Sequence, residues 1–153
     1  MLSVTDIMTK EVISIAPNAP ISDAAKILAE HRFDGVPVID ASNVLVGILT
    51  EYDMVSSAAI HLPTLQTVLQ NLKVFQKDKS QFQKEVQEIS SLKVEDVMNK
   101  DPLTLAENAT YEEAVKAFKD HHRVNPIPVI DTKKHVIGVV SRYDVLKAFE
   151  EFK

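Results

Sequence analysis

Short blocks of this chain recur in the same order 90 or 91 residues further on, and this repetition constrains the fold more than any other feature. "GILTEYD" at 47–53 returns as "GVVSRYD" at 138–144, and "VPVID" at 36–40 as "IPVID" at 127–131. Earlier in each copy, "VTDIM" at 4–8 returns as "VEDVM" at 94–98, and "SIAPNA" at 14–19 as "TLAENA" at 104–109. The offset grows from 90 to 91 near His121 and His122, so the second copy gains one residue there. A duplicated unit of this size cannot bury its apolar face alone, and the two copies are expected to pack together.

Each copy predicts the order strand, helix, strand, strand, helix. "VISI" at 12–15 and "PLTL" at 102–105 read as short strands. In the helices that follow, Ile21, Ala24, Ala25, Ile27 and Leu28 share one face, as do Tyr111, Ala114, Val115 and Phe118. Pro20 suits a first helical turn, and Thr110 with Glu113 forms a capping-box pattern. Next come "VPVI" and "NVLVGIL", then "IPVI" and "HVIGVV", joined by the hairpin turns "DASN" and "DTKK". A helix follows each heptapeptide. The fold class is therefore α+β: two tandem βαββα repeats, at 1–56 and 94–153, with a helical insert at 57–93. In the insert, Leu62, Leu65, Leu69 and Leu72, then Phe82, Val86, Ile89 and Leu92, keep helical spacing and predict two amphipathic helices. Their apolar faces would pack on the repeats, on a second copy of the chain, or on another protein. Met8 and Met98, at matching positions, read as core contacts.

The heptapeptide carries the chemistry. A strand ends and a helix begins at Thr50 and at Ser141, with Asp53 and Asp144 three residues later. A hydroxyl at the N-cap with an acid at N3 caps a helix without any ligand. Capping leaves the shared glycine unexplained. The same geometry also suits a nucleotide: exposed N–H groups and a hydroxyl for phosphate, a carboxylate for a ribose diol, and a glycine that lets a flat group approach.

Composition removes other classes. The chain has no cysteine, which excludes thiolate nucleophiles and disulfides and suits a cytoplasmic setting. A net charge of −5 argues against a basic nucleic-acid face. No run of about 18 apolar residues offers a membrane span, and "MLSVTDIMTKEV" does not read as a secretory signal. Phosphate-loop, dinucleotide and HExxH motifs are absent, so no catalytic residue is expected. His121 and His122 fit no metal site, because adjacent side chains diverge and no spaced partner exists. His31 and His61 read as isolated surface residues.

Gly–apolar–apolar–Thr/Ser–x–x–Asp, preceded by "VPVID" or "IPVID" and opened by "DIM" or "DVM", resembles the CBS domain. Two in tandem resemble a Bateman module, over residues 1–56 and 94–153. The resemblance implies a pseudo-twofold pair with clefts between the repeats, one on each side, and no catalysis. It implies an adenosine-containing ligand: AMP, ADP, ATP, S-adenosylmethionine or cyclic di-AMP. Thr50 and Ser141 would reach phosphate, and Asp53 and Asp144 the ribose. The base would lie against Ser14, Ile15, Val36 and Pro37 in the first repeat, and Thr104, Leu105, Ile127 and Pro128 in the second. Pro126 stands where the first repeat has Gly35, which stiffens the approach to the second cleft. A homodimer and a regulated protein acting in trans are also implied. The alternative is a purely structural dimerisation module with empty clefts.

Charge separates the two repeats. Asp34 matches Asn125, and Glu51 matches Arg142, which would put the phosphorylated ligand in the second repeat's cleft. Arg123, after the second repeat's first helix, reads either as a cation facing the helix dipole or as a phosphate contact.

Overall fold

Apolar runs at 35–39 and 45–50 build the first hairpin. The computed structural model describes residues 1–61, 83–84, 87–88 and 91–151; β1 (Gly35–Ile39) pairs antiparallel with β2 (Leu45–Thr50). β4 (Ile127–Ile130) and β5 (Val136–Val140) repeat the arrangement. Val36, Val38 and Leu49 of the first hairpin and Ile127, Val129 and Val140 of the second are fully buried. Each hairpin turns on an aspartate. Asp40 Oδ1 accepts the N–H of Ser42 at 2.8 Å and of Val44 at 3.0 Å. Asp131 Oδ1 accepts those of Lys133 at 2.8 Å and His135 at 2.9 Å. The backbone N–H of His135, more than any other group, holds the Asp131 carboxyl below the usual carboxylate range.

The outer strands are shorter than the sequence predicts. In the second repeat, β3 (Leu105–Ala106) lies parallel to β4, and the Glu107 N–H donates to the Ile130 carbonyl at 3.1 Å. In the first repeat only Ile15 bridges Val38. Pro17 occupies the position of Glu107 there, and a proline has no N–H with which to extend the ladder. Residues 12–14 and 102–104 belong to no strand.

Helix α2 (Ile21–His31) buries Ile21, Ala24 and Leu28 but leaves Ala25 exposed, and Pro20 is its N-cap rather than part of its first turn. In α5 (Tyr111–Asp120), Ala114 is buried and Val115 exposed. The expected capping box is present: the Glu113 N–H reaches Thr110 Oγ1 at 3.2 Å, and the Thr110 N–H reaches Glu113 Oε2 at 2.7 Å. The helices after the heptapeptides are α3 (Glu51–His61) and α6 (Arg142–Glu150). Of the insert helices expected from Leu62 to Leu92, only residues 83–84, 87–88 and 91–92 are described, and Leu62, Leu65, Leu69, Leu72, Phe82, Val86 and Ile89 lie outside the described residues.

The segments that open the repeats cross over. The short helix α1 (Val4–Ile7) sets Val4 among Leu105, Ala109, Ala114, Ile127, Val129 and Val140, the core of the second repeat. Its counterpart α4 (Val94–Val97) sets Val94 among Ile15, Ala24, Leu28, Val36, Val38 and Leu49, the core of the first. The backbone follows: the Val4 N–H donates to Ala109 O, and the Val94 N–H to Ala19 O, both at 2.9 Å. Thr9 exchanges two hydrogen bonds with Val139, as Asn99 does with Ile48. These pairs are equivalent under the sequence offset, which gives the pair its pseudo-twofold symmetry. On that axis Val44 bridges His135, and Asn125 Nδ2 donates to Asp34 Oδ2 at 2.5 Å. Among the described residues no helix is long and apolar enough to cross a membrane.

Candidate ligand-binding clefts

Both heptapeptides form the caps that their spacing predicts. Asp144 Oδ2 accepts the Ser141 N–H at 2.8 Å and its hydroxyl at 2.9 Å, and the Asp144 N–H returns to Ser141 Oγ at 3.2 Å. Thr50 and Asp53 make the same three bonds at 3.1, 2.9 and 3.2 Å. The two acids differ in burial: Asp144 is only 6% exposed, whereas Asp53 is half-buried. Among the described residues nothing donates to Asp144 Oδ1, so one oxygen of a buried carboxylate keeps its acceptor capacity.

The shared glycines are required for a reason the sequence hides. A Cβ on Gly138 would stand 2.3 Å from Met8 Sδ and 2.8 Å from Met8 Cγ. One on Gly47 would stand 2.6 Å from Met98 Sδ and 2.8 Å from the Asn99 carbonyl oxygen. The strand leaves out a side chain where the other repeat's opening segment crosses it, not to admit a flat ligand. Met8 and Met98 do pack on the cores, each on that of the opposite repeat.

The same crossing makes each cleft composite. A cleft of about 310 Å³ sets Ser141, Tyr143 and Asp144 of the second repeat against Thr9, Glu11, Ile13, His31, Arg32, Phe33, Asp34 and Pro37 of the first. A cleft of about 150 Å³ sets Thr50, Tyr52 and Asp53 of the first against Asn99, Leu103, Arg123, Val124 and Asn125 of the second. Reading each repeat as its own site pairs Thr50 with Pro37; the fold pairs Ser141 with Pro37. Gly35 and Pro126 both line the larger cleft.

Several residues expected to contact the base line neither cleft. Ile15, Val36, Leu105 and Ile127 are buried in the cores, and Pro128 is fully buried. Ser14 lines neither cleft, and Thr104 faces a separate hollow with Lys100 and Lys134. Arg142 also lines neither cleft: its guanidinium donates to the His122 carbonyl and lies 5.4 Å from the Phe118 ring centroid. Glu51 is exposed and lines neither. The charge contrast at 51 and 142 therefore does not face the clefts. Arg123 does line the smaller one.

The residues that sequence reasoning missed are Phe33, Tyr52 and Tyr143. His31, read as an isolated surface residue, stacks on Phe33 with 5.1 Å between ring centroids. Among the described residues no three His, Asp or Glu side chains gather as a metal site requires.

The chain belongs to the CBS domain family, whose pattern matches residues 4–59 and 94–151 as a tandem pair. It is 28% identical over 142 residues to inosine-5'-monophosphate dehydrogenase of Methanocaldococcus jannaschii, covering 93% of this chain and 22% of that enzyme. It is 27% identical over 143 residues to homoserine O-acetyltransferase of Methanococcoides burtonii, covering 94% and 23%. The chain thus spans less than a quarter of either enzyme. The chloroplastic CBS domain-containing protein CBSX1 of Arabidopsis thaliana is 26% identical over 155 residues, covering 99% of this chain and 65% of that protein. Among solved structures, CBSX2 in complex with AMP has a TM-score of 0.74 at 23% identity, covering 99% and 98% of the two chains. The CBS domain pair of MJ0100, in complex with 5'-methylthioadenosine and S-adenosyl-L-methionine, has a TM-score of 0.71 at 24% identity, covering 100% and 99%. At these identities the likeness establishes the fold.

Proposed function

We propose that the protein is a regulatory module that senses an adenosine-containing small molecule and passes its occupancy to a partner in trans. One observation carries this reading: the larger cleft is lined both by the buried Asp144 carboxylate, one oxygen of which has no donor among the described residues, and by the exposed Phe33 ring. Asp144 Oδ1 suits a ribose diol, as acidic residues do in dinucleotide folds. Phe33 and His31 present a flat apolar surface to a purine. The Ser141 hydroxyl and the first turn of α6 suit whatever polar group hangs from the 5' carbon. The ligands of CBSX2 and MJ0100 share the adenosine part and differ beyond it. AMP, ADP, ATP, S-adenosylmethionine and cyclic di-AMP are therefore the candidates, and no catalytic role is assigned to the chain. Val55, Leu146 and Phe149 are exposed apolar residues on α3 and α6, and they support self-association into a homodimer.

A thermal-shift panel of these compounds and 5'-methylthioadenosine tests the reading. A ligand at a hundredfold excess over Kd should add about 2.7 kcal/mol of stability. For a chain of this size that raises Tm by about 5–10 °C. No shift from any compound at millimolar concentration would favour a structural dimerisation module.

A further inference from the structure

We propose that the two clefts are functionally unequal: Tyr52 and Arg123, paired in the lining of the Thr50/Asp53 cleft, plug it, so each chain holds one ligand, beside Ser141 and Asp144. The inference rests on the sensing role above. By the repeat offset, Tyr52 corresponds to Tyr143 and Arg123 to Arg32. In the smaller cleft the pair is joined. Arg123 Nη1 donates to the Tyr52 hydroxyl oxygen at 3.1 Å, and its guanidinium carbon stands 5.1 Å from the Tyr52 ring centroid. A hydrogen bond from a cation and a cation–π contact thus act on the same two side chains. Among the described residues Arg32 and Tyr143 make neither contact, and Tyr143 is 75% exposed against 51% for Tyr52.

The cause is the one-residue difference between the repeats. α2 runs to His31 and ends through Arg32 in a left-handed conformation, φ 54°, with the Phe33 N–H returning to Leu28 O at 3.1 Å. α5 stops at Asp120, its C-cap His121 has φ −128°, and His122 intervenes before Arg123. The second repeat's arginine therefore leaves its helix along a different path, which brings it onto Tyr52. The same junction replaces Phe33, the aromatic wall of the larger cleft, with Val124 in the smaller. Small-molecule sites occupy about 300 Å³ or more. The Ser141/Asp144 cleft reaches that size, and the Thr50/Asp53 cleft has half of it.

Calorimetric titration of the full chain with AMP, ATP, 5'-methylthioadenosine and S-adenosylmethionine tests this. The parent should bind one ligand per chain. Asp144→Asn should weaken that site by about tenfold or more, and Asp53→Asn should leave it unchanged. Tyr52→Ala should raise the stoichiometry to two, and Arg123→Ala provides a second, independent opening of the plug. Both residues are exposed, so neither truncation empties a core. Two sites in the parent, a single site lost in Asp53→Asn, or a stoichiometry of one in both truncations would each overturn the plug while leaving the sensing role intact. A parent that binds none of the four compounds overturns the sensing role and this inference with it.

Discussion

Gly47 and Gly138 sit at equivalent places and are under different constraints. The atoms in the way of a Gly138 side chain belong to the Met8 thioether, which is flexible and adaptable. At Gly47 the Asn99 carbonyl oxygen also stands 2.8 Å away, and that oxygen is fixed by its bond from the Ile48 N–H. Each Gly→Ala change should cost about 1–3 kcal/mol through overpacking. The repair should differ. In a double-mutant cycle by urea unfolding, Met8→Ala should relieve Gly138→Ala with a coupling of about 0.5–3 kcal/mol. Met98→Ala should relieve Gly47→Ala by less, because the backbone oxygen remains. Equal couplings would mean that the Asn99 peptide yields as readily as a thioether. The sequence made the glycines conspicuous by repeating them. It could not give their purpose, because a matched position says nothing about which distant methionine crosses it.

Among the elements, the helix starts were the most legible and the outer strands the least. A hydroxyl with an acid three residues on is a local pattern, and local hydrogen bonds at Thr50, Thr110 and Ser141 fulfil it. The strand expected at 12–15 shrinks to a single bridge at Ile15, because the ladder needs a donor that Pro17 lacks. The make-up of the clefts is not legible for a similar reason: each cap is a local pattern, but the walls opposite it come from the other repeat, which the spacing does not name. Capping and ligation now make separable predictions at Ser141 and Asp144. Ser141→Ala should lower stability by about 0.5–2 kcal/mol, the range for losing an N-cap. Asp144→Asn keeps a carbonyl that can accept from Ser141, so its unfolding midpoint should move little. Its nucleotide affinity should still fall by about 1.5–3 kcal/mol, as when a hydrogen bond to a charged group is lost. Urea unfolding and calorimetry on the same two variants give both numbers. An Asp144→Asn protein that binds as the parent does would reduce the aspartate to a cap.

At the scale of the whole molecule, the crossing of α1 and α4 decides how the chain folds. Neither repeat contains its own complete core. The second needs Val4, which is fully buried beside Ile127 and Val140, and the first needs Val94, fully buried beside Val36 and Leu49. Duplication alone predicts that the copies pack together because neither buries its apolar face alone, which a simple docking of two intact cores would satisfy. The exchange instead makes their stabilities interdependent, since removing either opening segment exposes the other repeat's interior. Truncating either valine deletes two buried methyl groups, worth about 1.5–3 kcal/mol once the cavity is included. Val4→Ala and Val94→Ala should therefore lower the midpoint of one shared transition, although the two residues lie in different repeats. Circular dichroism and amide exchange should report the same loss at both hairpins. A fragment of residues 94–153 carries everything its own repeat encodes yet lacks Val4 and the backbone bonds to Ala109 and Val139. It should not fold stably alone, and adding a peptide of residues 1–12 should restore part of its protection from exchange. Two resolved transitions in the intact chain, or a stable 94–153 fragment, would show that each repeat is self-sufficient and that the crossing only docks them.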